Sequence, residues 1–379
     1  MATVFFVSIG LLVYHFVLYP TILWILTRIK PSTRREMDRP VVFPAMELIV
    51  PAHNEQEVIA DKVRNLFALE YPGDLTVTIA LDGCSDRTEQ VLTAVMSEQK
   101  ADHKRVSVAV YRQNIGKVAV INELIGKSTA EIIALSDTSS LLDADALISA
   151  ACYFGDKRIG VVCGSYHLSA GSSFAERAYW RYQTNVKRLE SAFGSVMGAH
   201  GAFYLVRRSL WTKLASDTIN DDFVLPMKIV ATGAQAVYAS EIRIEELEVS
   251  RSVQDIRRRI RLGAGNIQQL VMLAGLADPR RGRTAFMFIS GKAIRSIAPY
   301  AFIAAFASGL IWIAAGNPML ATGIVVACGF VLLAPGSWGL LSLARYVALS
   351  TMASAFGGLL YLVGPSGAAW NISRSGKQS

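Results

Sequence analysis

The sequence predicts an α/β domain with a mostly parallel central sheet, set between transmembrane and interfacial helices, and three observations carry that expectation. Over residues 46–164 short β-rich runs alternate with helical patterns, as expected of a parallel sheet covered by helices. Residues 1–27 and 296–344 contain no Asp, Glu, Lys or Arg, whereas the stretch between them is charged throughout. The 379 residues are 52% hydrophobic, with a mean hydropathy of +0.35. That is too apolar for an ordinary soluble enzyme.

Residues 4–26 are long enough to cross a hydrocarbon core, which needs roughly 20 apolar residues. A signal peptide would carry its positive charge before the apolar run; here the charge follows, at Arg28, Lys30, Arg34, Arg35 and Arg39. Residues 1–27 are therefore expected as a transmembrane helix of the cell (inner) membrane. The basic cluster after it puts the charged middle of the chain, a domain over residues 40–278, in the cytoplasm. Within that domain ELIVPA leads to a helix from Glu55, LTVTIAL to one from Asp86, RVSVAVY to one from Gly116, and EIIALS to one from Asp143, before GVVCG closes the series. Ligands of such sheets bind beyond the carboxyl ends of the strands.

Past Asp278 the chain turns apolar again. Residues 279–297, with Arg280, Arg281, Arg283, Lys292 and Arg295, read as an interfacial segment. Spans at 298–315 and 319–334, split by Gly316-Asn317-Pro318, form a transmembrane hairpin over 298–336. A third apolar run, 346–363, follows Arg345; if it crossed, Arg374 and Lys377 would lie outside, against the positive-inside tendency. Residues 337–379 are therefore expected as an interfacial helix at 341–363 and a cytoplasmic tail, with Arg345 snorkelling and Trp370 at headgroup level. The formal net charge is +8, but the basic residues gather where apolar segments end, so the expected partner is the lipid bilayer and not nucleic acid. Cys84, Cys152, Cys163 and Cys328 have no paired spacing, which points to neither a disulfide framework nor a zinc site.

The chemistry-bearing residues fall just after the strands. One strand ends in Pro51-Ala52-His53-Asn54-Glu55, and the next in Asp82-Gly83-Cys84-Ser85-Asp86; a carboxylate there can accept from a nucleobase imide, although Asp-Gly alone also describes a tight turn. Asn114-Ile115-Gly116-Lys117 opens a helix, where free N–H groups, the helix dipole and a lysine suit a phosphate. A solvated lysine beside a turn glycine is the bland alternative. Ser136-Asp137-Thr138-Ser139-Ser140 follows the fourth strand, with Asp137 either a ligand or the cap of a turn. Gly198-Ala199-His200-Gly201-Ala202-Phe203 is a turn of mostly small residues around a lone histidine. Asn220-Asp221-Asp222 precedes an apolar helical run, where paired acids serve as a base or as an N-cap. Residues 257–266 read RRRIRLGAGN, a basic amphipathic stretch.

In this order and at these strand ends, the motifs resemble the family 2 glycosyltransferases, which include the hyaluronan and cellulose synthases. The resemblance implies a GT-A fold and a nucleotide-sugar donor, a UDP-sugar, held by Pro51, Asn54, Glu55, Asp82, Lys117, Asp137, Arg258 and Arg261, with Asp82 on the base. It implies Mg²⁺ or Mn²⁺ at Asp137 and Ser139, the latter standing where the family's metal motif has its second carboxylate. The acceptor would meet His200, Gly201, Asp221 and Leu262, and Asp222 would be the catalytic base of an inverting transfer. The Gln-x-x-Arg-Trp signature of processive synthases is altered: Arg258 replaces the glutamine and Leu262 the tryptophan. Non-processive transfer to a lipid-linked saccharide or growing glycan is thus the first expectation. A processive synthase, in which associated chains form the conduit, is the second; a membrane transporter or binding protein would have no need of Asp82, Asp137 and Asp222 together.

Overall fold

The computed structural model describes all residues except 30–41, 99–105, 169–173, 248–251, 334–338 and 365–379. Lys30, Arg34, Arg35, Arg39, Trp370, Arg374 and Lys377, and with them the cytoplasmic tail, lie outside the described residues. The chain divides into two units. One comprises Pro31–Ser172 and Lys187–Val249; the other comprises Met1–Lys30, Ser173–Val186 and Ser250–Ser379.

The first unit is built on an eight-stranded sheet: β1 (Met46–Ala52), β2 (Leu75–Asp82), β3 (Val106–Tyr111), β4 (Ile132–Ser136), β5 (Ser140–Leu142), β6 (Ile159–Leu168), β7 (Phe203–Arg207) and β8 (Gln235–Glu246), in the order β3-β2-β1-β4-β7-β6-β8-β5. The first four strands wind in parallel, as the alternation predicts. β4 is fully buried along its length, which explains its continuous apolar run. The second half departs from the expectation. β7 enters antiparallel between β4 and β6, with Ile132 opposite Arg207 and Ser136 opposite Phe203. The GVVCG run therefore does not pair with EIIALS, and only β6 and β8 pair in parallel beyond that point.

The helices start one to four residues later than their sequence patterns suggest, at Ile59, Thr88, Lys117 and Ala146; turns at 56–58 and 144–145 precede the first and the last. Ile59, Val63 and Leu66 line the buried face of the first of these. Their spacing of three and four is that of one helical stripe.

The other unit is helical. Ala2–Ile29, Arg283–Gly316 and Ala344–Val363 are long and apolar enough to cross a membrane, and Pro318–Gly329 is shorter. Residues 283–297 run unbroken into 298–316 as a single helix rather than standing apart. The third long helix also satisfies length and composition for a span, alongside its reading as interfacial. Two π-helical turns, Tyr14–Leu18 and Phe288–Ala293, meet through Tyr14 Oη and Ser290 Oγ at 2.8 Å and His15 Nδ1 and the Ser290 carbonyl at 3.0 Å. The helix Ser252–Met272 packs backbone to backbone on Gly339–Val363: a Cβ on Gly263 would meet the Ser354 carbonyl oxygen at 2.2 Å. Only glycine permits so close an approach.

Candidate active site

Three loops meet at the carboxyl ends of β1 and β2. Asn54 adopts φ 57°, a left-handed conformation that asparagine tolerates. Its side-chain oxygen accepts from Ser85 N–H at 2.8 Å, while Glu55 N–H donates to Thr88 Oγ1 at 2.8 Å. Pro51 lends its carbonyl to Thr138 Oγ1 at 3.0 Å. Gly83 has φ 60°, and a Cβ there would lie 2.2 Å from the Asn114 nitrogen, so glycine is required. Asp82 is only 3% exposed, and both carboxylate oxygens accept backbone N–H groups, from Ile115 at 2.7 Å and Gly116 at 2.9 Å. Its visible task is thus to shape the turn that presents Lys117. A contact with a nucleobase, as expected from the sequence, would need one of these oxygens to accept a second hydrogen.

Lys117 is the first residue of its helix, immediately after Gly116 at φ 91°. Its ammonium lies 2.8 Å from Asp137 Oδ1 and 3.5 Å from Asp221 Oδ2. Burial pulls its pKa down, but Asp137 and Asp221 outweigh that and raise it, so Lys117 is a fixed cation. Asp221 also accepts from Tyr204 Oη at 3.4 Å. Asp222 Oδ2 accepts from Gly201 N–H at 3.1 Å. Burial raises the Asp222 pKa, repulsion from Asp221 adds to it, and Lys117 opposes them. A carboxylate so placed is a stronger base than an exposed one.

Gly201 separates the two key carboxylates. A Cβ on it would lie 3.0 Å from Asp137 Oδ2 and 3.6 Å from Asp222 Oδ2, so both oxygens border the space that a side chain would fill. The helix Asp221–Ala231 contains Pro226. Having no N–H, Pro226 cannot donate to the carbonyl four residues back, which is that of Asp222; that carbonyl instead accepts from Ala199 N–H at 3.0 Å. The same loop is held from below by Lys187, which donates to the Gly198 and Ala199 carbonyls at 3.0 Å each. His200 Nδ1 accepts from Ala202 N–H at 3.2 Å, and its ring stacks on Tyr166 with centroids 4.0 Å apart.

The structure therefore gathers Lys117, Asp137, Gly201, Asp221 and Asp222, with His200 on the same loop. Ser139 sits in the turn after Asp137, its carbonyl accepting from Leu247 N–H at 2.9 Å. Among the described residues no three His, Cys, Asp or Glu side chains converge on one point. One carboxylate, with one oxygen facing the space over Gly201, suits a Mg²⁺ or Mn²⁺ ion held chiefly by a diphosphate and waters. Arg258, Arg261 and Leu262 belong to the helix Ser252–Met272 of the other unit, where Leu262 is 38% exposed and Arg259 lies over the Tyr346 ring at 4.3 Å. Sequence reading missed Tyr166, Lys187, Tyr204, Pro226 and the buried Lys62. Of these, Pro226 was legible, four residues after a candidate base, and so was Lys62, on an apolar stripe.

Burial lowers the pKa of Lys62 to about 7, against the attraction of Asp137 and Glu246.

Comparison with known proteins bears on the family and the fold. The model of the glycosyltransferase like family 2 matches residues 44–265, more than half of the chain. An N-acetylglucosaminyltransferase of Azorhizobium caulinodans is 26% identical over 50% of this chain and 48% of that protein. A beta-monoglucosyldiacylglycerol synthase of Trichormus variabilis is 32% identical over 49% of this chain and 41% of that protein. The chain thus spans about half the length of the curated relatives it matches. A mannosyltransferase of Pyrobaculum calidifontis, solved with GDP-Man and Mn²⁺, superposes with a TM-score of 0.71 at 21% identity, over 94% of this chain and 99% of that one. This likeness shows the fold, with the apolar helices included. The chain belongs to the family 2 glycosyltransferases and has their GT-A fold.

Proposed function

We propose that the protein transfers a sugar from a UDP-sugar, with inversion, to a lipid-linked saccharide or growing glycan at the cell membrane. The observation that carries this reading is the pairing of two carboxylates across Gly201: Asp137, neutralised by Lys117, and Asp222, whose pKa burial raises. In a direct displacement the acceptor hydroxyl gives its proton to Asp222 as its oxygen bonds the donor's anomeric carbon. The bond from that carbon to the diphosphate oxygen breaks, and the electron pair leaves with the diphosphate. Lys117 supplies positive charge beside the leaving group, where fixed cations act most strongly on developing charge. A Mg²⁺ or Mn²⁺ ion, held by Asp137 and Ser139, would supply further neutralisation. His200 and Tyr166 offer a flat surface for an acceptor ring. Membrane acceptors suit a chain with three helices of spanning length, and relatives named for glycolipid and poly-N-acetylglucosamine synthesis support that choice.

The test is UDP release by the purified, detergent-solubilised chain against a panel of nucleotide sugars, with and without Mn²⁺ and lipid extract. Release that needs one UDP-sugar, the metal and the extract is expected. No release from any donor under any condition would end this reading.

A further inference from the structure

Lys62 has 0% exposed surface, on the same stripe as Ile59, Val63 and Leu66. Its ammonium donates to Ser136 Oγ at 2.7 Å and to the Ser140 carbonyl at 2.5 Å. Ser136 is the last residue of β4 and Ser140 the first of β5, so the ammonium bridges the two ends of the turn that carries Asp137. The Ser136 hydroxyl, accepting from Lys62, passes its own hydrogen to the Ala202 carbonyl at 2.8 Å; that carbonyl also accepts from Asp137 N–H at 3.2 Å. One buried amine thus underlies both the Asp137 turn and the loop that carries Gly201. Both of its hydrogen-bond acceptors are neutral, and burying a polar group of this kind is costly compared with an apolar side chain of the same size. Stability alone gives no reason to keep an amine here, whereas the position beneath Asp137 does.

We propose that Lys62 is a positioning residue of the donor subsite: it clamps the Asp137 turn and sets that carboxylate for a nucleoside diphosphate and its divalent ion. The inference rests on the reading of Asp137 as a donor-side ligand. Lys62→Met keeps the length of the side chain and removes the amine and both hydrogen bonds. Three quantities separate positioning from mere support in the full chain: thermal unfolding without metal, calorimetric UDP binding with and without Mn²⁺, and the donor KM against kcat. The expected result is a melting point within a few degrees of wild type, UDP binding in Mn²⁺ weakened by up to about tenfold, the scale of one buried hydrogen bond, and a matching rise in KM. At saturating donor kcat should fall by less than about threefold. Unchanged UDP affinity overturns the proposal, as does a parallel fall in affinity, kcat and melting point. If Lys62→Met does not accumulate, Ser136→Ala removes only the hydroxyl of the clamp and should weaken the same binding about threefold; no change there also overturns it. Wild-type protein that binds no UDP overturns the donor-site reading together with this one, whereas normal wild-type binding and an unaffected Lys62→Met overturn this one alone.

Discussion

Replacing Asp222 by Asn should abolish transfer while sparing donor binding. Asn matches Asp in shape, and its side-chain oxygen keeps the acceptor that Gly201 N–H uses at 3.1 Å. The contact from Ala199 goes to the backbone carbonyl of residue 222 and is untouched by the change. The loop should therefore stay in place. The contact of Lys117 with Asp137 at 2.8 Å does not involve Asp222, so UDP affinity should change by less than about twofold. What is lost is the proton acceptor, worth about 10²–10⁴ in rate, or about 2.7–5.4 kcal/mol of barrier. Stability should not fall. The pKa of Asp222 is raised in the fold, so ionising it at neutral pH works against the native state, and Asn removes that opposition. Single-turnover UDP release measures the chemistry and calorimetry the binding. Turnover within tenfold of wild type would refute Asp222 as the base; a lost UDP affinity would refute the separation of the two subsites.

Other substitutions probe the neighbouring groups. Asp137→Ala should remove the Mn²⁺ dependence of UDP binding, because no other carboxylate lies in that turn; calorimetry in which the variant still needs the metal would place the ion elsewhere. As the proposed base, Asp222 must be ionised, so the rate should fall as pH drops through its raised pKa, above the ordinary carboxylate value of about 4. Asp221→Asn removes a like charge and should move that acid limb to lower pH in a kcat/KM profile. Gly198→Ala forces alanine to φ 87° with its Cβ 2.3 Å from Phe223 Cδ2; conformational strain and overpacking together predict a loss of roughly 2–5 kcal/mol in chemical unfolding.

The parallel half of the sheet was legible because β1, β2 and β4 announce themselves as short apolar runs that end in Pro, Asp or Ser. The antiparallel half was harder. β5 is three residues long, too short for any period to show, and β7 is five residues preceded by a glycine-rich loop. β8 did carry a signal, since Ile242, Ile244 and Glu246 are buried while Glu241, Arg243 and Glu245 between them are exposed. That alternation of two is the mark of a half-buried strand. At the site, Lys117, Asp137, Gly201 and the two acids could be named from motifs, but their meeting could not. The reach of Lys187 to Gly198 depends on how the chain turns after a long helix, and nothing in the intervening residues spells that turn out. The double occupation of Asp82 was hidden for a similar reason: its partners are main-chain groups 33 and 34 residues away, and main-chain groups leave no trace in a sequence.

The reversal of β7 has a consequence for which loops gather at one rim of the sheet. In an all-parallel sheet every strand leaves from one rim and is entered from the other, so the rim that binds a ligand sees only exits. Because β7 runs the opposite way, with Phe203 opposite Ser136, its entrance shares a rim with the exit of β4. The approach to that entrance, Gly198 to Ala202, thereby comes within hydrogen-bonding range of Asp137, whose N–H meets the Ala202 carbonyl at 3.2 Å. The inverted strand thus brings a second loop to the rim where the parallel strands end.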